Sequence, residues 1–194
     1  MRMLLASASP RRAELLAAAG YVFEVKSCTV DETPLPGEIP ALYVARLAAA
    51  KAGAVTDIAS NNVILAADTC VVLDGDILGK PIDDVDAAKM LGRLSGRSHE
   101  VLTGVSMRYA NQSVGAVDRT VVHMALLQPE QVAWYVASGE PRDKAGAYGI
   151  QGLAARFIDR IEGSYSNVVG LPLAVVRRLL SELGFDGVEM SETP

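Results

Sequence analysis

Leu4-Leu5-Ala6-Ser7-Ala8-Ser9-Pro10-Arg11-Arg12 changes character within one short stretch. An apolar run that reads as a strand stops at two serines, and a helix begins. Ser9 suits the N-cap, Pro10 the first helical position, and Gly20 the stop. A strand that passes straight into a helix is the opening unit of an α/β fold. Arg11 and Arg12 fall in the first turn, where the helix dipole is already positive and cations are disfavoured. Two such residues side by side point to a negative ligand, since free backbone N–H groups, serine hydroxyls and guanidinium forks make a phosphate site. The plainer alternative leaves both arginines solvated on a surface helix.

Outward from this stretch the alternation continues. Residues 2–6 read as a strand, 10–19 as a helix, 22–28 as a strand, 29–38 as a loop and 40–55 as an Ala/Leu-rich helix. Val63 to Leu73 reads as a buried strand run interrupted at Asp68-Thr69. Asp83 is placed to cap a helix through Leu94, with Val85, Ala88, Leu91 and Leu94 as its apolar face. Residues 99–109 and 114–127 read as an antiparallel ribbon turning near Asn111. Pro129 to Ala137 is helical, a glycine-rich loop runs from Gly139 through Gly152, 156–161 suits a strand, and Pro172 to Leu183 is a last helix stopped by Gly184. The expected fold is a single α/β domain over residues 1–194, with a partly antiparallel sheet, helices on both sides and a bend around a cleft. Residues 185–194 are expected to form a loose tail.

Composition narrows the function classes. Half of the 194 residues are hydrophobic, enough for a core without metal or disulfide staples. Cys28 and Cys70 stand apart, and His99 and His123 are isolated, so no structural zinc spacing exists. No apolar stretch reaches membrane-spanning length, and Pro10-Arg11-Arg12 cuts the first run too early for a signal peptide, which makes the cytoplasm the expected location. A net charge of −5 argues against a broad nucleic-acid surface but permits a small anionic ligand gripped by a local cluster of cations.

Several residues break local rules. Asp68 sits inside Val63-Ile64-Leu65-Ala66-Ala67-Asp68-Thr69-Cys70-Val71, where an unpaired carboxylate is costly; it must meet a cation, a metal or water, or take up a proton. Lys51 shares a helical face with Val44, Leu47 and Val55, so it either snorkels outward or points into a site. Lys80 in Leu78-Gly79-Lys80-Pro81 is a positioned loop lysine or ordinary hairpin punctuation. Asp31-Glu32 offers two adjacent carboxylates to a divalent metal, or is solvated loop charge. The segment Lys144 to Gly152 carries a glycine every third residue, which allows a backbone to press on a flat ligand or marks a tight connection with positive φ. Gln151 offers a base edge both a donor and an acceptor. Ser7, Arg11, Arg12, Lys51 and Lys80 for phosphates, Glu32 and Asp68 for metal or water, and Gln151 for a base together fit a nucleoside triphosphate. No Walker A pattern is present.

Read together, Leu5 to Arg12, Val30-Asp31-Glu32, Arg46-Leu47-Ala48 with Lys51-Ala52, Ala67-Asp68-Thr69, Gly79-Lys80-Pro81, Ser95-Gly96 with His99, and Asp143 through Gly152 resemble the Maf family in order along the chain. The resemblance implies a nucleoside triphosphate pyrophosphatase, and the Asp143–Gly152 loop implies the dTTP/UTP branch rather than the branch acting on a methylated GTP. It implies Asp68 as proton acceptor, with Arg11, Thr69 and Gln151 tuning substrate choice. Ser7, Arg12, Glu32, Lys51 and Lys80 are implied as further site residues, and Glu32 and Asp68 as ligands of Mg²⁺ or Mn²⁺. It also implies the elongated two-lobed α/β fold shared with inosine triphosphatases, with a central cleft, and frequent homodimers. A competing reading keeps the same cationic site but makes the protein a nucleotide-binding regulator of septum formation that needs no turnover.

Overall fold

A computed structural model describes residues 2–56 and 62–185. The expected loose tail lies almost wholly outside them. Seven strands, β1 (Arg2–Leu5), β2 (Phe23–Val25), β3 (Asn62–Leu73), β4 (Asp76–Leu78), β5 (Ser98–Tyr109), β6 (Gln112–Met124) and β7 (Ile158–Glu162), form one sheet. Its order is β2-β1-β3-β5-β6-β7, with β4 paired to β3. β1 runs parallel to β2 and β3, whereas β4 on β3 and β7 on β6 are antiparallel. The helices are α1 (Pro10–Ala18), α2 (Pro40–Ala54), α3 (Asp84–Leu94), α4 (Pro129–Ala137), α5 (Tyr165–Val169) and α6 (Leu173–Glu182).

The chain divides into two compact units. One comprises residues up to 68 with 103–118 and the segment from 170; the other comprises 69–102 and 119–169. In the first unit the period-two alternation of β1 and β3 sorts side chains onto two faces. Met3, Leu5, Val63 and Leu65 pack with Leu16 of α1 and Leu179 of α6. Leu4, Ala6, Ile64 and Ala66 face the other way and pack with Ala52 and Val55 beside α2. Both faces are covered, so these strands read as continuous apolar runs. Each fully buried leucine here contributes about 1.5–3 kcal/mol. In the second unit, Leu73, Leu91, Leu94, Val122, Tyr135 and Phe157 belong to a separate core.

Two expectations need correction. β3 is not interrupted at Asp68-Thr69: the strand runs through both residues. Asp68 continues the even-numbered face of Ile64 and Ala66, so a carboxylate in that run signals a ligand pair rather than a break. The apolar face of α3 is Ala87, Leu91 and Leu94, with Ala88 and Met90 partly buried against the same core, while Val85 points outward with 63% of its surface exposed. β4 and α5, of three and five residues, are too short to show a period and appear only in the structure. The Asp83 cap is present, its Oδ1 accepting from Asp86 N at 2.7 Å. Gly20 and Gly184 end α1 and α6 with φ of 80° and 89°.

Candidate functional site

The first unit holds six of the candidate site residues: Ser7, Arg11, Arg12, Glu32, Lys51 and Asp68. Alternation turns Asp68 toward the α2 side of the sheet, and α2 presents Lys51 one turn beyond Leu47 on its inward face. Lys51 Nζ lies 2.5 Å from Asp68 Oδ1 and 2.6 Å from Glu32 Oε1. Only 12% of the Lys51 side chain and 9% of the Asp68 side chain are exposed, against 52% for Glu32. Lys51 therefore does not snorkel; it bridges a buried carboxylate and a half-exposed one. Burial pushes the Asp68 carboxyl above its ordinary range, Lys51 and then Arg12 pull it back, and Glu32 adds to the rise. The result is a carboxylate more basic than usual with cations beside it.

Arg12 is tied into this group from α1. Its Nε donates to Gly170 O at 2.8 Å, and its Nη1 donates to Ser7 Oγ at 3.1 Å and to Ala67 O at 2.8 Å. The last contact fixes the backbone immediately before Asp68. Burial lowers the Arg12 pKa, the Asp68 charge raises it, and the Arg11 charge lowers it. The expected phosphate fork thus spends two of its nitrogens on its own chain and acts first as a clamp. Ser9 occupies the N-cap position as expected, but its hydroxyl makes no capping bond. Ser7 Oγ instead accepts from Ser9 N at 3.2 Å and from Arg12.

The acidic loop resolves into two roles. Asp31 Oδ1 accepts from Thr33 N at 2.9 Å, an Asx turn whose bonds hold its carboxyl below the ordinary range. Glu32 alone reaches Lys51. Tyr43 Oη donates to Glu32 O at 3.0 Å, and Arg46 donates to Thr33 O at 3.2 Å and, through Nε and Nη2, to Glu38 at 2.6 and 2.7 Å. α2 thereby holds the Glu32 loop as well as supplying Lys51. Sequence reasoning missed Tyr43, Gly170 and the Arg46–Glu38 pair as supports, because each acts through a non-local contact.

Thr69, Lys80 and Gln151 belong to the second unit. Lys80 is exposed after β4, whose hairpin turn places Asp74 and Gly75 at φ of 54° and 88°. Gln151 is exposed in a tight turn closed by Gly152 N donating to Gly149 O at 3.2 Å. The glycine spacing around it serves the chain itself. A Cβ at Gly146 would lie 2.9 Å from Val71, one at Gly149 2.6 Å from the Lys144 stem, and one at Gly152 2.4 Å from both Glu140 carboxylate oxygens. Of these three glycines only Gly146 has positive φ, 68°. At the other two, the Lys144 and Glu140 side chains pack against the glycine backbone.

Glu32 and Asp68 already share one cation, so their oxygens converge. Two carboxylates suit Mg²⁺ or Mn²⁺, which are commonly held by one or two carboxylates plus substrate phosphates. Among the described residues no cluster of three Asp, Glu, His or Cys forms, so phosphate oxygens would complete such a site. Chemically, the group pairs a buried carboxylate of raised basicity with adjacent cations, an arrangement able to accept a proton and to offset phosphate charge.

The Maf-like protein family matches residues 2–183. The chain belongs to this family. Among relatives of this Maf-like chain, a dTTP/UTP pyrophosphatase of Symbiobacterium thermophilum is 51% identical over 184 residues, covering 95% of each chain. One of Shewanella oneidensis is 49% identical over 192 residues, covering 95% of this chain and 99% of that one. One of Geobacter sulfurreducens is 49% identical over 186 residues, covering 94% and 97%. Two solved structures share the fold at low identity. A HAM1 protein from Coxiella burnetii has TM-score 0.53 at 16% identity, covering 94% of this chain and 99% of that one. The Staphylococcus aureus Ham1 protein has TM-score 0.51 at 13% identity, covering 94% and 100%. The mixed α/β fold expected from the sequence is therefore the observed one. Among the described residues no helix is long and apolar enough to cross a membrane.

Proposed function

We propose that this chain hydrolyses dTTP and UTP to the monophosphate and pyrophosphate, as an acid-anhydride hydrolase of the cytoplasm acting as a homodimer. The observation that carries the reading is Asp68, buried against Lys51 with Arg12 beside it and its carboxyl raised above the ordinary range. Water attacks the α-phosphorus, a new P–O bond forms, the bond to the bridging oxygen breaks, and Asp68 takes the proton of the water. Lys51, Arg12 and Lys80 offset the charge that grows on the departing pyrophosphate. Ser7 and Arg11 belong to the same phosphate-binding group. Glu32 and Asp68 would hold a divalent cation, which would add charge neutralisation at the phosphates. Thr69 and Arg11 tune substrate choice, and Gln151 pairs its amide with the pyrimidine edge, so that a base with the wrong donor and acceptor pattern leaves polar groups unmatched.

The test is a hydrolysis screen over common and modified nucleoside triphosphates with Mg²⁺ or Mn²⁺, reading pyrophosphate against orthophosphate. dTTP and UTP are expected to release pyrophosphate, and Asp68→Asn is expected to fold yet lose at least about 100-fold in kcat, the lower end of the range for a general base. Saturable binding without turnover would instead support the septum-formation regulator. Near-normal turnover in Asp68→Asn would remove Asp68 from the chemistry.

A further inference from the structure

The turn that carries Gln151 is pinned at both ends by one tyrosine–glutamate pair. Tyr135 on α4 is fully buried, and its Oη donates to Glu140 Oε1 at 2.8 Å. The same Oη accepts from Gly149 N at 3.3 Å, at the start of the turn. Glu140 Oε2 accepts from Leu153 N at 2.8 Å, just past its end. Between these anchors lie only Ile150, Gln151 and Gly152, with the Glu140 carboxylate packed directly against Gly152, where a Cβ would lie 2.4 Å from both of its oxygens. Lys144 holds the base of the assembly, its Nζ donating to Glu140 O and Asp143 Oδ1, both at 2.7 Å. Burial and the adjacent Glu140 carboxylate push the Tyr135 hydroxyl well above its ordinary pKa, so it stays a neutral donor.

We infer that Tyr135 and Glu140 are positioning residues for pyrimidine recognition, fixing the Gly149–Gly152 turn so that the Gln151 amide is presented in one orientation. This rests on the reading of Gln151 as the base-contacting residue. A carboxylate is required at position 140 because both of its oxygens must accept. A glutamine offers one accepting oxygen and an NH₂ that would confront either Leu153 N–H or the tyrosine hydroxyl. A Gln151 loosened by one lost anchor still reaches the base but samples wrong orientations, so discrimination fails before chemistry does.

The experiment compares Glu140→Gln, Tyr135→Phe and Gln151→Ala, alone and with Glu140→Gln and Gln151→Ala combined, in the full-length protein. KM and kcat are measured for UTP and CTP, with thermal unfolding as the control for folding. Glu140→Gln and Tyr135→Phe are expected to raise KM for UTP by about tenfold, to lower kcat by less than threefold, and to reduce the preference for UTP over CTP by about tenfold, one mismatched hydrogen bond's worth. Glu140→Gln added to Gln151→Ala is expected to change KM little further, since both act through one amide. A purely structural role would lower the unfolding temperature and the active fraction while leaving KM and the UTP/CTP ratio unchanged, and that outcome overturns the proposal. So do additive effects in the double variant. If Gln151→Ala itself leaves KM and base preference intact, the base-contact reading of Gln151 fails and the proposal with it; if Gln151→Ala is impaired and both brace variants are not, the proposal alone fails.

Discussion

Gly104 on β5 links the packing of the first unit to its chemistry. A Cβ built there would lie 2.3 Å from the Val44 carbonyl oxygen, 2.5 Å from its carbon and 2.8 Å from Ala45 N. All three are backbone atoms of α2, so no side-chain rotation relieves the clash. Restoring an ordinary 3.4 Å contact requires α2 to retreat by 3.4 − 2.3 = 1.1 Å. Lys51 lies seven residues beyond Val44, on the same helical face, and moves with the helix as a unit. A shift of that size opens the 2.5 Å Lys51–Asp68 bridge to as much as about 3.6 Å, beyond hydrogen-bonding range. Overpacking a core costs about 1–3 kcal/mol, and a backbone-on-backbone clash belongs at the upper end. Gly104→Ala is therefore expected to lose about 3 kcal/mol in urea unfolding with an unchanged m-value, and at least tenfold in kcat/KM for UTP from misplacement of Lys51. A Gly104→Ala protein with the parental unfolding midpoint and full kcat/KM would refute the claim that this close approach sets the position of Lys51.

Gly53 on the same helix has nothing within 4 Å of a built Cβ and no positive φ, so Gly53→Ala is expected to stabilise by about 0.5–1 kcal/mol in the same assay; a loss would contradict the open space seen there. Lys51→Met removes the cation that most strongly offsets the burial of Asp68, so the Asp68 carboxyl rises further. Because the proposed mechanism needs Asp68 unprotonated, the acidic limb of the kcat/KM profile is expected to move to higher pH; an unmoved limb would uncouple Lys51 from the titrating group. His99 is buried, with Nε2 2.6 Å from Tyr148 Oη, and burial lowers its pKa from 6.5 to about 4. The folded state then resists a proton that the unfolded chain accepts. Its stabilisation is present above pH 6.5 and is lost as pH falls toward 4, by about 3 kcal/mol in all. Urea unfolding between pH 7.5 and 4.5 measures this, and His99→Gln is expected to flatten the slope; an equally steep slope would assign it to other groups.

Much of this protein is legible along the chain because local physics is written locally. The Asp83 cap, the Pro10 and Pro40 helix starts and the Gly20 and Gly184 stops set boundaries that the structure keeps to within a few residues. The cost of a carboxylate in an apolar run marked Asp68 as needing a cation, a metal, water or a proton, whereas the spacing of Val44, Leu47 and Lys51 left open whether the lysine snorkels or points inward. Family membership was equally readable, since its motifs are short contiguous strings.

Tertiary structure alone decided which partners those residues meet. Nothing near Arg12 indicates that its guanidinium spends itself on Gly170, 158 residues away, or that Asp31 turns back on its own loop while Glu32 reaches Lys51. The even-numbered face of β3 became the Asp68 side only once β1 and β5 flanked the strand and α2 covered that face. Gly104, Gly149 and Gly152 look like flexible positions in the sequence and prove to be contact points where a methyl group would strike another part of the chain. The physical reason is common to all of these. Caps, turns and hydrophobic periods depend on neighbours a few residues away, whereas ion-pair choice and close packing depend on which distant segments the sheet order brings within a few ångströms.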